Sequence, residues 1–178
     1  MKFLIFSDIH GCSDSAEFIV GKTEVEKPDK VLILGDILYH GPRNDIPHNY
    51  EPKAVIAELE KIAPKILAVR GNCEAEVDQM VLSFPCLSQE ALVYADGNTI
   101  FMTHGHIYNE ENRPKCGYTH FFSGHTHLHG LKKKDGITFL NPGSISIPKG
   151  GEGRSYAIYI DGKIEIRRME DDSIILEI

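Results

Sequence analysis

Three segments of the chain consist almost entirely of apolar residues, and each of them leads into polar side chains. They are Phe3–Phe6, Val31–Leu34 and Ile66–Val69. A short apolar run without alternation is typical of a strand that is covered on both faces, as in the middle of a parallel sheet. The pattern therefore predicts three buried strands in the first half of the chain.

Two segments with helical periodicity separate these strands. The first starts near Asp14 and ends before Pro28, and the second starts at Pro52 and ends at Pro64. Right-handed strand–helix–strand connections make the strands that they join parallel. Between Tyr39 and Pro52 the sequence is rich in turn-forming residues and has no periodicity, so we predict a loop there.

The second half of the chain predicts hairpins. Asp-Gly pairs occur at 96–97, 135–136 and 161–162, and each pair separates two strand-like segments. This dipeptide between apolar segments is the strongest short-range hairpin signal. We expect the hairpins to form a mixed sheet that packs on the first one, with helices outside, which gives an α/β sandwich in a single domain over residues 1–178.

Composition and charge exclude several classes of protein. The 178 residues are 42% hydrophobic and 25% charged, which is ordinary globular composition. The net charge of −7 argues against a protein that binds long nucleic acids through a basic surface. The basic run Lys132–Lys134 precedes a predicted turn and is expected to be a solvated hairpin end.

The cysteines and the apolar segments bear on location. The four cysteines are widely spaced and form no C-x-x-C pair, which indicates reduced thiols in a cytoplasmic protein. The first apolar stretch is too short for a signal peptide, and no later run could cross a bilayer, so we expect no membrane partner.

Polar groups of a particular kind follow five of the predicted strands. They are Asp8-Ile9-His10, Gly35-Asp36, Gly71-Asn72-Cys73-Glu74, Thr103-His104-Gly105-His106 and Gly124-His125-Thr126-His127. Open α/β sheets bind their ligands at the carboxyl ends of strands. Residues two apart in an extended turn point the same way, so Asp8 with His10, and His125 with His127, are each expected to address one centre.

This mixture of side chains predicts a metal site. Imidazole, carboxylate and amide oxygen together suit Mn, Fe or Zn better than copper or an iron–sulfur cluster. Seven potential ligands exceed what one metal ion needs. In the loop after the second strand, His40, Arg43 and Asn44 either reach a substrate or only brace the loop. His106 either hydrogen-bonds a ligand, orients substrate or packs.

The five groups, in this order, resemble the pattern of the calcineurin-like metallophosphoesterases, which runs D-x-H, G-D, G-N-H/C-D/E, G/T-H-G and G-H-T-H. The similarity extends to Gly41–Asn44, Val77–Met80, Asn141–Ser144 and Ile147–Gly151, and it covers nearly the whole chain. The chain is similar to the small bacterial phosphodiesterases of the YfcE type. The resemblance implies a four-layer α/β/β/α sandwich with two mixed β-sheets.

The resemblance also implies a cofactor and the residues that hold it. Two divalent metal ions are expected, with Mn²⁺ favoured and Zn²⁺, Fe²⁺ or Ni²⁺ as alternatives. One ion would be held by Asp8, His10, Asp36 and His127. The other would be held by Asp36, Asn72, His104 and His125, so that Asp36 bridges the two ions.

The implied function is hydrolysis of a small phosphodiester by a hydroxide between the two ions, the reaction of a phosphoric diester hydrolase. Asp36, Asn72, Cys73 and His104 are the expected catalytic residues. Arg43, Asn44, Cys73 and His106 are expected to contact the substrate. The alternatives are a catalytically silent scaffold of the same fold, and a phosphomonoesterase or nucleotide phosphatase. A homo-oligomer, either a dimer or a tetramer, is a further expectation.

One residue departs from many members of the family. Cys73 occupies a position where they carry histidine, which could protonate a leaving group or neutralise the extra charge of a monoester. A thiol does neither well, so we predict a preference for diesters. The alternative is that Cys73 is a small buried filler without influence on selectivity.

Overall fold

The computed structural model describes all residues from Met1 to Ile178. In chain order its elements are β1 (Lys2–Phe6), α1 (Ser13–Glu26), β2 (Lys30–Ile33), α2 (Pro52–Glu60), a 3₁₀ turn (Ala63–Lys65), β3 (Ile66–Ala68), α3 (Glu76–Val81), β4 (Glu90–Ala95), β5 (Asn98–Thr103), β6 (His120–Phe122), β7 (His129–Lys134), β8 (Ile137–Pro142), β9 (Ser155–Ile160), β10 (Lys163–Arg168) and β11 (Ile174–Glu177). None of the helices combines the length and the apolar composition that crossing a bilayer requires.

The strands form two mixed sheets. The first has the order β11-β10-β9-β1-β2-β3 and the second the order β4-β5-β6-β8-β7. Strands β1, β2 and β3 are parallel, as predicted, and so are β5, β6 and β8. The carboxyl ends of these parallel strands provide the edge at which the polar groups collect.

Alternation along the central strands builds two cores. Leu4 and Phe6 face helices α1 and α2, together with Val31 and Ile33 of β2. Phe3 and Ile5 point the other way, into the apolar layer between the two sheets. Burial on both faces explains why these strands are uninterrupted apolar runs in the sequence.

The predicted helices form, with small differences at their ends. Helix α1 ends at Glu26, and Lys27 adopts the left-handed conformation while its N–H bonds to the Thr23 carbonyl. Helix α2 ends at Glu60, before the predicted stop, and a 3₁₀ turn follows it. Pro64 lacks an N–H and disfavours helical backbone at the residue before it, so the helix cannot continue to that point. The short elements α3 and β11 were not predicted.

All three Asp-Gly hairpins are confirmed. The aspartates and glycines of the turns have positive φ, which is the backbone conformation of two-residue hairpin turns. The third hairpin, β9–β10, lies in a different place from the one expected. It joins the first sheet, where β9 pairs antiparallel with β1 from Lys2–Ile160 to Ile5–Ala157.

The outer face of the second sheet carries an aromatic cluster. Phe101, Phe121 and Phe139 project from β5, β6 and β8, and Tyr108 and Tyr118 pack against them. Those two tyrosines belong to the segment 104–119, which contains no helix. The α/β sandwich with two mixed sheets is confirmed, and its layer over the second sheet consists of this irregular segment.

Candidate metal centre

The predicted polar groups meet at one edge of the sandwich. Asp8 and His10 follow β1, Asp36 follows β2, and Asn72 follows β3. The second sheet contributes residues from the ends of β5 and β6: His104, His125 and His127. The structure therefore brings together all seven residues that the sequence indicates as ligands.

Five of these residues have backbone conformations that side chains other than glycine rarely adopt. The φ angles are 56° for Asp8, 48° for His10, 56° for Asp36, 69° for His125 and 60° for His127. Such conformations cost of order 1–3 kcal/mol each and cluster at functional sites. Backbone hydrogen bonds from the His10 N–H to the Asp36 carbonyl (2.9 Å) and from the Asp8 N–H to the Gly35 carbonyl (3.1 Å) hold them.

The first cluster contains Asp8, His10 and His127. The Nε2 atom of His127 lies 3.2 Å from Oδ1 of Asp8 and 3.2 Å from Nε2 of His10. Nε2 of His10 lies 3.6 Å from the same Asp8 oxygen. Ligand atoms bound at about 2.1 Å to one ion are separated by about 3–3.5 Å, so these three atoms have the spacing of a metal site.

The second cluster adjoins the first through Asp36. Oδ2 of Asp36 lies 3.4 Å from Nε2 of His104 and 3.6 Å from Nε2 of His10. Nε2 of His104 is also 3.2 Å from Oδ1 of Asn72 and 3.2 Å from Nδ1 of His125. Asp36 is thus the carboxylate between the two clusters.

One detail differs from the expectation. His125 and His127 do not address the same centre, because His125 faces His104 while His127 faces Asp8 and His10. Both residues have a left-handed backbone conformation, so the rule that side chains two apart in extended backbone point the same way does not apply to them. Asp8 and His10 do share a cluster, as predicted.

Main-chain carbonyls orient three of the imidazoles. Nδ1 contacts a carbonyl oxygen in each: Tyr39 for His10 at 2.8 Å, Leu34 for His104 at 2.6 Å and Ile147 for His127 at 2.6 Å. A carbonyl can only accept, so Nδ1 carries the hydrogen and Nε2 of the neutral ring presents its lone pair to the cluster. This is the arrangement typical of metal-ligating histidines.

A buried carboxylate oxygen lies among these nitrogens without a partner. Oδ1 of Asp8 accepts no hydrogen bond although it is fully buried. Its other oxygen accepts hydrogen bonds from the Ser7 hydroxyl at 2.6 Å and from the His125 N–H at 3.0 Å. Buried polar atoms in native proteins are normally paired, so an atom like Oδ1 marks a position where a cation fits. The donor set therefore fits a divalent metal.

The same proximity changes the acidity of the carboxyl groups. Burial alone would raise the pKa of Asp8, but the neighbouring imidazoles of His10 and His104 hold it well below its ordinary value. Burial would likewise raise the pKa of Asp36, but the hydrogen bond and the charge of His104 outweigh burial and lower it. Both carboxyls are therefore ionised and able to bind cations at neutral pH.

We expect the metal-free protein to lose stability as the pH rises through about 9. Burial would lower the pKa of His104, but the hydrogen bond with Asp36 and the charge of Asp8 raise it to about 9. The folded state then holds this proton more tightly than the unfolded state, so the stabilisation is complete below about 6.5 and is lost as the pH approaches 9. The change is on the order of 3 kcal/mol.

Thermal unfolding of metal-free and metal-loaded protein between these pH values measures the effect. A metal ion on His104 replaces the proton, so the loaded protein should show the smaller decrease in Tm. A metal-free Tm that is constant or increases over this range would contradict the expected protonation of His104.

Glu74 supports the centre from behind, a role that the sequence did not reveal. Its buried carboxylate accepts hydrogen bonds from the backbone N–H groups of Asp36 (2.9 Å), Ile37 (2.6 Å) and Gly71. Burial and the charge of Asp36 raise the pKa of Glu74 to about 7. The three donors offset the cost of burying this carboxylate and fix the turn that carries Asp36.

Gly71 is required by the close approach of Asp36. A Cβ atom at position 71 would lie 2.1 Å from Oδ1 of Asp36. That oxygen accepts a hydrogen bond from the N–H of Cys73 at 2.9 Å, which fixes the carboxylate against the Gly-Asn-Cys turn. Burial, and secondly the charge of Asp36, raise the pKa of the Cys73 thiol, which therefore stays protonated and neutral.

A polar pocket of about 310 Å³ opens over the clusters. Its lining has no apolar residue and includes Arg43, Asn44 and Lys149 besides four residues of the clusters, Asp36, Asn72, His125 and His127. The predicted substrate residues Arg43 and Asn44 are thus placed at the site. Lys149 lies in the segment 147–151 that resembles the family, and no side-chain pattern in the sequence marks it as part of a pocket.

Two further histidines, His106 and His40, belong to neither cluster. The His106 ring packs 5.4 Å from His104, but it lines a separate groove on the outer face of the second sheet. The His40 ring lies between Tyr39 and Tyr50 in the loop after β2, which favours the bracing role for His40.

Comparison with known proteins agrees with this arrangement. The profile of the calcineurin-like phosphoesterase superfamily domain matches residues 1–160. Phosphodiesterase YfcE of Escherichia coli (strain K12) is 39% identical over 100% of this chain and 97% of its own. Probable metallophosphoesterase YsnB of Bacillus subtilis (strain 168) is 27% identical over 89% of this chain and 83% of its own.

Solved structures show the same fold. The structure of the E. coli phosphoesterase Yfce superimposes with a TM-score of 0.97, at 39% identity, over 100% of this chain and 98% of that one. Vps29 from Entamoeba histolytica complexed with Zn²⁺ has a TM-score of 0.68 at 18% identity, over 100% and 98% of the two chains, which is a likeness of fold alone. From its sequence profile, its relatives and its fold, this chain belongs to the calcineurin-like phosphoesterase superfamily.

Proposed function

We propose that the protein is a metal-dependent phosphodiesterase that uses two divalent ions, Mn²⁺ foremost, and a hydroxide between them as the nucleophile. The observation that carries the proposal is the pair of adjoining clusters that share Asp36, with the unpaired buried oxygen of Asp8 beside it. That the protein is a hydrolase of phosphate esters follows from its family and from its similarity to a phosphodiesterase.

The residues present fit two ions. Asp8, His10, Asp36 and His127 would hold one, and Asp36, Asn72, His104 and His125 would hold the other. Bound there, such ions supply Lewis acidity, which lowers the pKa of a bound water and neutralises charge on the phosphoryl oxygens. The ligand set of imidazole, carboxylate and amide oxygen supports Mn²⁺, with Zn²⁺, Fe²⁺ and Ni²⁺ as alternatives.

Side chains around the ions would bind and orient the ester. Arg43 and Lys149 line the polar pocket, and neither forms an ion pair with a carboxylate of the protein. Their charges are therefore free to attract a phosphodiester, which carries one negative charge. Asn44 is held by a hydrogen bond from its amide to the His40 carbonyl at 2.8 Å, so its position in the pocket is fixed.

We also propose a location in the cytoplasm and a small substrate. All four cysteines are unpaired, which supports a cytoplasmic protein. A small phosphodiester is the proposed substrate, since the acidic surface disfavours long nucleic acids.

Cys73→His is expected to increase hydrolysis of an aryl phosphomonoester at least about tenfold relative to the diester. Cys73 lies beside Asp36, and histidine at this position could donate a proton or balance the second charge of a monoester. The adjacent Gly41, whose Cβ would lie 2.9 Å from the Cys73 sulfur, shows how closely the loop approaches this residue. Rates with 4-nitrophenyl phosphate and bis(4-nitrophenyl) phosphate measure the ratio.

Cys73→Ser provides the control, because serine keeps the small volume and offers no titrating group near neutral pH. It should leave the ratio of monoester to diester rates unchanged. If Cys73→His binds its metal ions but gains no monoesterase activity, Cys73 does not determine selectivity.

The proposed function is tested by removing metal and restoring one ion at a time. Metal-stripped protein should be inactive on bis(4-nitrophenyl) phosphate, and Mn²⁺ should restore activity more than Zn²⁺, Ni²⁺ or Mg²⁺. Calorimetric titration should give two ions per chain. Folded protein that binds metal and hydrolyses no ester with any of these ions would favour the catalytically silent scaffold.

A further inference from the structure

A groove lies on the outer face of the second sheet and meets the metal centre. Its volume is about 890 Å³, compared with about 310 Å³ for the polar pocket over the ions. His125 and Thr126 line both cavities and form the wall that they share. Cavities of roughly 300–1,000 Å³ hold small organic ligands, so the groove has the size of a binding site.

The two cavities have different chemistry. The pocket over the ions is lined by polar residues only, whereas the groove also has apolar residues. On the outer face these are Phe121 and Phe139 of the aromatic cluster and the half-exposed Leu128, whereas the side chains of Leu131 and Leu140 pack in the layer between the two sheets. A phosphoryl group suits the first cavity, and an organic ring suits the second.

The charges along the groove cancel. Glu110, on the irregular segment, pairs with Lys132 at 2.6 Å and Lys134 at 3.1 Å on β7. Glu111 is the other acidic residue of the lining, so two lysines face two glutamates. The groove therefore favours an uncharged occupant over a second phosphate or a cation.

The dimensions suggest the size of that occupant. From Gly130 to Lys134 strand β7 extends about 13 Å along the groove, at about 3.3 Å per residue. His106 lines the end near the ions, and its Nδ1 is buried without a hydrogen-bond partner.

We infer that the groove binds the larger organic substituent of the diester, an uncharged, ring-bearing alcohol of about the size of a nucleoside. This inference rests on the proposed function and adds a substrate class to it. The phosphate lies in the polar pocket with Arg43 and Lys149, and the substituent extends past His125 and Thr126 onto the apolar floor.

Gly130→Leu tests the inference. A Cβ atom at Gly130 meets nothing within 4 Å, so the leucine side chain extends into the groove without displacing the protein. For thymidine 5′-(4-nitrophenyl phosphate) the KM should increase at least about tenfold. For methyl 4-nitrophenyl phosphate, which has no substituent of the size of a nucleoside, kcat/KM should change less than about twofold.

Lys133→Leu is the matched control, because it places the same side chain on the opposite face of the same strand. It should change neither substrate. Equal effects of Gly130→Leu on both esters, or on neither, would overturn the inference.

Saturation-transfer NMR with thymidine 5′-methyl phosphate reports binding without turnover. Binding by the wild type and by Lys133→Leu but not by Gly130→Leu supports the groove even where no ester is hydrolysed, and absence of binding to the wild type overturns it. Failure of the proposed function is seen separately, as a wild type that does not hydrolyse the methyl ester.

Discussion

Asp36→Asn is expected to lower kcat/KM for an aryl phosphodiester about a thousandfold, which is on the order of 4 kcal/mol of transition-state stabilisation. The Asp36 carboxylate lies between the two clusters, at 3.4 Å from His104 and 3.6 Å from His10. Asparagine keeps the shape and tolerates the left-handed backbone, but it removes the charge that the two ions would share. Both rate and metal content should therefore decrease.

Asp135→Asn is the control for this change. Asp135 is also left-handed, with φ of 52° against 56° for Asp36, and it lies exposed in a hairpin turn far from the centre along β7 and β8. The substitution removes the same charge from the same backbone conformation. Mass spectrometry of bound metal and diester kinetics should show no change, and an Asp36→Asn protein that keeps more than about a tenth of the activity would contradict the role of Asp36.

Glu74→Gln is expected to reduce the free energy of unfolding by about 2–3 kcal/mol and the diesterase rate by about a hundredfold. The carboxylate accepts three backbone hydrogen bonds, from Asp36, Ile37 and Gly71. One end of a glutamine side chain is a donor, so at least one buried N–H group loses its partner. The turn that positions Asp36 then relaxes.

Glu76→Gln supplies the comparison two residues away. The Glu76 side chain is 81% exposed and its contact with Arg70 is long, at 3.7 Å. Surface pairs of this kind contribute little, so denaturant unfolding and kinetics should match the wild type. If Glu74→Gln is as stable as Glu76→Gln, the three hydrogen bonds do not hold the turn.

Much of the centre could be predicted because its residues follow apolar strands. The runs before Asp8, Asp36 and Asn72 are buried on both faces, so each strand ends where its polar residue begins. Parallel strands place those ends at one edge. The side chains therefore had to meet there, whatever the loops between them do.

Other features depend on contacts that no local pattern contains. An Asp-Gly turn shows that β9 pairs with β10, but it carries no information on which sheet the hairpin joins. The sequence Thr-His-Gly-His also hides the separation of His104 from His106, because Gly105 has a φ of 116° and turns the chain between them. Likewise, Glu74 forms hydrogen bonds with Asp36 and Ile37, which precede it in the chain by 38 and 37 positions.

The carbonyl contacts of His10, His104 and His127 affect the exchange of metal ions at the centre. Each ring is anchored by the main chain of a different segment, through Tyr39, Leu34 and Ile147. Folding itself therefore fixes the positions of the three imidazoles. We expect one ion to exchange for another without a rearrangement of the chain. Cellular supply, more than protein geometry, then decides which metal the enzyme carries.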